Sequence, residues 1–204
     1  MAGVSVKQII DLNPAIPERI ATGEAFDIAL TNPPYVRALI EKGLADAASH
    51  RPFGRVPLAV ARRSGADVTV TPDVAGIARL FRDAESVAYT GAGTSGRIYL
   101  EVMEKLGLTD AVAFKSKAIS DGVPAEVAAA SQVELAVAPL TTVLATPGVV
   151  PVAVFPEELG THIDMSVFLN TQSATEAERV LEFLTAGEVD GELADAGIMR
   201  FSFT

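Results

Sequence analysis

The sequence contains no cysteine, only two histidines in 204 residues, and 16 basic side chains against 26 acidic ones. Each shortage excludes something. Without cysteine there is no disulfide framework, no thiolate nucleophile and no cysteine-ligated zinc, and the redox compartment stays open. The two histidines, His50 and His162, are far apart in the chain and no paired carboxylate spacing accompanies them. No metal site and no cofactor are therefore expected. The HExxH, G-x-S-x-G and Walker patterns are missing as well. A net charge of −10 argues against a nucleic-acid partner, because phosphate binding relies on clustered Lys and Arg. No run of 18 or more apolar residues occurs, so no membrane span is expected. The opening MAGVSVKQII has one Lys and no long apolar stretch, so no secretory signal peptide is expected there. As it stands the chain reads as cytoplasmic, or as periplasmic if the N-terminus is truncated.

What is present is a globular composition, 49% hydrophobic and 21% charged. The length suits one domain or two small lobes, and it is enough to bury a core without staples. No internal repeat or low-complexity tract interrupts it. Short apolar runs alternate with amphipathic ones. Strands are expected over Val4–Leu12, Phe26–Leu30, Arg55–Arg62, Ser86–Thr90, Ala111–Lys115, Val133–Pro139, Val149–Phe155 and Thr161–Asn170, with a last short one in the tail MRFSF. Helices are expected over Pro14–Thr22, capped by Asn13, then Tyr35–Gly43, Thr71–Phe81, Ser95–Leu106, Pro124–Ser131 and Ala174–Thr185. Asn32-Pro33-Pro34 is read as a break, and Ser64–Asp67 as a loop. Strands alternating with helices imply a parallel sheet covered on both faces.

The most informative stretch is SVAYTGAGTSGRIYLEVMEKLG, Ser86 to Gly107. A buried strand ends in Thr90, a loop of small residues follows, and a helix begins. Helix starts carry unpaired N–H groups and the positive end of the dipole, which suits an anion. Thr94 and Ser95 add hydroxyls. The plainer possibility is a tight turn capped by Ser95. The loop also matches G-x-G-x-x-G, the dinucleotide fingerprint, but Lys115-Ser116-Lys117 stands where an acidic ribose ligand belongs. Two lysines there would suit a 2′-phosphate instead.

Three stretches in order resemble the molybdate-type solute-binding proteins of ABC transporters, which have the type II periplasmic-binding-protein fold. They are PERIATGEAFDIAL (Pro17–Leu30), GTSGRIYLEVMEKLG (Gly93–Gly107) and VELAVAPLTTVLATPGVVPVAV (Val133–Val154), the last followed by a long strand and the helix ATEAERVLEFLTA. The resemblance covers nearly the whole chain. It begins at the family's second strand, so the usual first β–α unit, about 25–30 residues on βαβ geometry, is lacking. It implies an α/β, two-lobed protein with mostly parallel sheets flanked by helices. Lobe 1 would be residues 1–63 plus 161–204, and lobe 2 residues 64–160. It implies binding of a small anionic solute, oxyanion or carboxylate, in an interlobe cleft, with an ABC permease as a partner. A homodimer that supplies the missing strand is left open. Carried over by position, the ligand contacts would be Asn13, Thr31, Asn32, Thr90, Gly93, Thr94, Ser95, Thr141 and Thr142.

An enzyme reading stands beside this one. Some relatives on the scaffold isomerise small polycarboxylates, which needs a base and an acid. His162, Glu126 and Asp164 are the candidates here, with Thr94 and Ser95 as an anion clamp, and His162 lies near the second of the two chain crossings that the resemblance implies, in Arg55–Arg62 and Thr161–Asn170. Arg55 and Arg97 are the cations able to reach an anionic ligand. His50 and the acidic stretch Glu176–Glu192 read as surface.

Overall fold

A computed structural model describes residues 4–65 and 70–203. In chain order its helices and strands are α1 (Ala15–Ala21), β1 (Ile28–Thr31), α2 (Pro33–Glu41), β2 (Arg51–Arg63), α3 (Val74–Asp83), β3 (Val87–Thr90), α4 (Thr94–Lys105), α5 (Thr109–Ala113), β4 (Ser116–Ile119), α6 (Pro124–Ala129), β5 (Leu135–Pro139), α7 (Leu140–Ala145), β6 (Val149–Val154), β7 (His162–Leu169), α8 (Thr175–Thr185) and α9 (Asp190–Asp195). The chain divides into two compact units. Unit 1 is Met1–Arg55 with Asp164–Thr204, and unit 2 is Val56–Ile163. Both division points fall inside strands, β2 and β7.

In unit 1, β1 and β7 pair antiparallel, with Ile28 opposite Leu169 and Thr31 opposite Ser166. Successive side chains of a strand point to opposite faces. Val167 and Leu169 pack with Ala177 and Leu181 of α8, while Phe168 packs with Ile20 of α1 and Val36 and Leu39 of α2. Helices thus cover both faces of β7, which explains why MSVFL is apolar at nearly every position. The C-terminal segment lies along the start of β2, where Arg55 and Met199 exchange backbone hydrogen bonds.

In unit 2 the strand order is β6-β2-β5-β3-β4. The β3 strand runs parallel to β4 and β5, as β–α–β connections require. The β2 strand runs antiparallel to β5 and β6. The parallel arrangement is found in β4-β3-β5, and β2 and β6 add antiparallel pairings to it. Small residues make the core against α6: Ala59, Ala61, Ala88, Ala136, Ala125 and Ala128 are all fully buried. Under α4 the filling is aromatic, with Phe81 5.6 Å from Tyr99 and Tyr89 5.0 Å from Tyr99. Burial pushes the Tyr99 phenol up to about 12, and its hydroxyl is 2.8 Å from Ser116 Oγ.

Several expected elements differ. Residues 4–12 form no strand; Val6, Ile9 and Ile10 are exposed there. Asn13 is not a side-chain cap, since α1 starts after Pro14 with no side-chain hydrogen bond. Asn32-Pro33-Pro34 is a helix start rather than a break, with proline at the first positions of α2. The expected strand Ala111–Lys115 is mostly helix α5, and the strand comes later, as β4. Short apolar runs do not separate helix from strand, and here only Val112 is buried while Phe114 is 84% exposed. The tail supplies one isolated bridge rather than a strand. Ala66 and Asp67 of the expected Ser64–Asp67 loop lie outside the described residues.

Candidate functional site

An anion site without cations needs a helix start that is open, unoccupied and free of acid. The described helices of two turns or more are α2, α3, α4 and α8. Three of them fail that test. In α2 the first two positions are Pro33 and Pro34, which have no N–H, and the Tyr35 N–H turns back onto Asn32 O at 3.0 Å. In α3 the Asp73 carboxylate caps the start, accepting from Gly76 N–H at 2.6 Å. In α8 Glu176 and Glu178 occupy the first turn.

The start of α4 passes. Gly93 precedes the helix, no side chain caps it, and no acidic residue lies in its first turn. The first ladder bond runs from Arg97 N–H to Gly93 O at 3.2 Å. Among the described residues the N–H groups of Ser95 and Gly96 have no acceptor, and the Ser95 hydroxyl, although the residue is 7% exposed, makes no hydrogen bond. Thr94 is 8% exposed beside it. Gly96 is obligatory: a Cβ there would collide with Thr90 O, which holds the loop close against the end of β3. Gly91 N–H donates to Ile119 O at 2.9 Å, tying the loop to the end of β4. Thr90 is half-buried at the end of β3, and Thr141 and Thr142 are half-buried in the first turn of α7, after β5. The Gly-loop and α7 candidates thus follow the C-terminal ends of two hydrogen-bonded parallel strands, β3 and β5.

The unit 1 candidates are arranged differently. Thr31 is fully buried and its hydroxyl donates to Asn13 O at 2.9 Å. Asn32 donates through Nδ2 to Asp164 O at 2.8 Å. Both side chains fix backbone. Asn13 is half-buried, and its carboxamide makes no hydrogen bond among the described residues. At the start of α1 the N–H groups of Ala15 and Ile16 turn back onto Leu12 O, at 2.8 and 3.3 Å.

The charged candidates are committed elsewhere. Arg55 holds Asp164 bidentately, Nε to Oδ1 at 2.6 Å and Nη2 to Oδ2 at 2.9 Å, and stacks over Phe201 at 5.4 Å. Arg97 pairs with Glu101 at 2.8 Å on an exposed helix face. Lys115 and Lys117 sit at the beginning of β4, not at its C-terminal end, and Lys115 Nζ donates to Arg82 O and Ala84 O, each at 2.7 Å. The support for a 2′-phosphate site is thereby lost, since the Gly loop is level with Ile119 at the other end of that strand. Of the acid–base candidates, the Asp164 carboxylate is held by Arg55, Glu126 is exposed in the first turn of α6, and His162 is half-buried on β7. Sequence reasoning missed the Arg55–Asp164 pair, whose members are distant in the chain. It also missed the closure of α2, although the rule that proline favours the first helical position was a usable signal.

Residues 3–198 match the family described as bacterial extracellular solute-binding protein. No curated protein matches the chain in sequence. Among solved structures it is similar to the substrate-binding domain assigned to a molybdenum ABC transporter from Clostridium difficile, with a TM-score of 0.77 and 14% identity over 98% of this chain and 88% of that one. It is similar to the periplasmic molybdate-binding protein of Azotobacter vinelandii, at 0.75 and 15% over 92% and 84%. A third is the sulfate-binding protein of Mycobacterium tuberculosis H37Rv, at 0.67 and 14% over 92% and 73%. At these identities the likeness establishes the α/β solute-binding fold.

Proposed function

Because the chain belongs to the bacterial extracellular solute-binding proteins, we propose that its solute is a small anion held at the start of α4, and that it delivers this solute to an ABC permease. One observation carries the reading. Among the described helices of two turns or more, α4 alone has an uncapped, acid-free start, with two small hydroxyl residues, Thr94 and Ser95, in its first turn. Ser95 O–H and the N–H groups of Ser95 and Gly96 supply donors at that helix start, and the dipole adds its positive end. Gly93 lets the backbone be approached. Thr90, Thr94, Thr141 and Thr142 are further hydroxyls of the same unit. In unit 1, Thr31 and Asn32 fix backbone through Asn13 O and Asp164 O. Relatives of similar fold are described as binding molybdate and sulfate, which agrees with an anion. Nothing in the geometry favours the isomerase alternative, since the Asp164 carboxylate it would use is already bound by Arg55.

Titration calorimetry against oxyanions and carboxylates tests the reading. Some member of the panel should bind, and the double variant Thr94→Ala/Ser95→Ala should weaken it about tenfold or more, the worth of one hydrogen bond to a charged group. Unchanged affinity in that variant would show that the Gly loop is only a turn.

A further inference from the structure

An outer strand of a sheet offers unpaired N–H and C=O groups to any strand that reaches it, unless charge or proline guards it. In unit 2 the outer strands are β6 and β4, and both are guarded. Pro151 interrupts β6, and Lys117 stands exposed on β4. In unit 1 the outer strand is β1, bonded to β7 on one side. It reads Ile28-Ala29-Leu30-Thr31, without charge, proline or glycine. Among the described residues nothing pairs with its other edge. Residues 4–12 have the complementary character. In VSVKQIIDL alternation puts Val4, Val6, Ile10 and Leu12 on one face, and Ser5, Lys7 and Asp11 on the other. This is a strand by pattern, yet it forms none, and Val6 and Ile10 are 60% and 81% exposed. Ile9 and Leu12 are exposed as well, and no other stretch of the described chain shows so many large apolar side chains together. Among the described residues, 4–11 make no backbone–backbone hydrogen bond. The end of the segment is tied down, with Arg19 on Asp11 at 2.7 Å and Thr31 Oγ1 on Asn13 O at 2.9 Å, while the residues before it stay unpaired with their own β1.

We propose that two copies of the chain exchange residues 4–12, each laying this segment along the open edge of the other copy's β1. The chain itself thus carries both halves of the contact, an unguarded edge and an unpaired amphipathic strand. Added strands gain affinity from main-chain hydrogen bonds and specificity from alternate side chains. The exchange is reciprocal, so a single two-fold contact closes both edges and leaves none to propagate into fibres. Charge permits it. Each copy carries −10, but the segment has only Lys7 and Asp11, and β1 has no charge, so the contact itself adds no repulsion. The exchange does not depend on the anion reading above.

Sedimentation of the full chain from about 1 to 100 μM, with hydrogen exchange at both ends of that range, tests the exchange. A monomer–dimer equilibrium is expected, and the amides of residues 4–12 and 28–31 should gain protection together as the dimer fills. Val6→Lys/Ile10→Lys alters exposed side chains and should weaken association about tenfold or more while unit 2 keeps its exchange pattern. Ile10→Lys alone serves if the double variant does not fold. A monomer at every concentration would overturn the proposal, and protection of 4–12 in that monomer would show that the segment pairs within its own chain. A dimer that survives the lysine variants, or forms without protecting 28–31, would place the contact elsewhere and equally overturn it.

Discussion

His50 shows how a single side chain sets a pH limit. Among the described residues its buried Nε2 has no hydrogen-bond partner, and its ring lies 4.7 Å from that of Phe203. Burial comes first in pushing its pKa below the ordinary 6.5, and the charges of Arg37 and Arg51 add to it. The folded state thus prefers neutral His50, whereas the unfolded chain takes up a proton near 6.5. Between those two values the unfolded state binds more protons, so stability falls as pH drops from 6.5 toward the lower folded value. Asp11 and Glu24, held below the ordinary carboxylate range chiefly by hydrogen bonds from Arg19, lose their contribution in the same direction but at a lower pH. Urea unfolding at pH 7.5 and 5.5 should therefore show a loss of stability that His50→Phe diminishes. An equal pH dependence in the variant would assign the effect to other groups.

At the scale of elements, Arg200 is the clasp of unit 1. Its Nη1 donates to Phe53 O at 2.7 Å, Nη2 to Leu184 O at 3.0 Å and Ala186 O at 2.9 Å, and Nε to Asp190 at 2.8 Å. One planar fork thereby joins the start of β2, the end of α8 and the first residue of α9. Arg200→Ala should cost about 1–3 kcal/mol, because it strands carbonyls that are partly buried. Arg200→Lys should cost nearly as much, since an ammonium cannot reach the same set of acceptors. Full retention by lysine in a denaturant titration would mean that the exposed pairing with Asp190 is what matters. None of this network was visible in the sequence, where MRFSF read as a strand by its alternation. Legibility followed the locality of the cause. The end of β3, the Gly loop and the body of α4 were plain because strand pattern, small residues and helical stripe are contiguous there. The placement of Thr94 and Ser95 at that helix start was likewise legible. Ala111–Lys115 misled because four apolar residues fit either period, and what decides them is which side finds a core. Thr31 and Asn32 illustrate a different limit. Their types suit a ligand contact, but their hydroxyl and amide hydrogens go to Asn13 O and Asp164 O, partners far away in sequence.

On the scale of the whole molecule, the net charge of −10 and the proposed anion site oppose one another. Long-range potential reflects all 26 acidic and 16 basic side chains, while the start of α4 acts through dipoles that fade within a turn or so. An approaching anion is therefore repelled at distance and attracted only on arrival. Salt shortens the reach of the first effect, to about 8 Å at physiological ionic strength, and leaves a buried donor set almost untouched. The consequence is the reverse of ordinary electrostatic steering. The association rate of the bound anion should rise as ionic strength is raised from about 10 to 150 mM with a salt shown not to bind, and the dissociation rate should stay nearly constant. Stopped-flow measurement on the full chain separates the two rates. A further check lies in charge reversal away from the site: replacing Glu188 and Glu192, in the acidic stretch of unit 1, with lysine should raise the low-salt association rate and flatten its salt dependence. An association rate that falls with salt in the unaltered protein would mean that a local positive field governs approach, and that the acidic surface contributes little to the path of the solute.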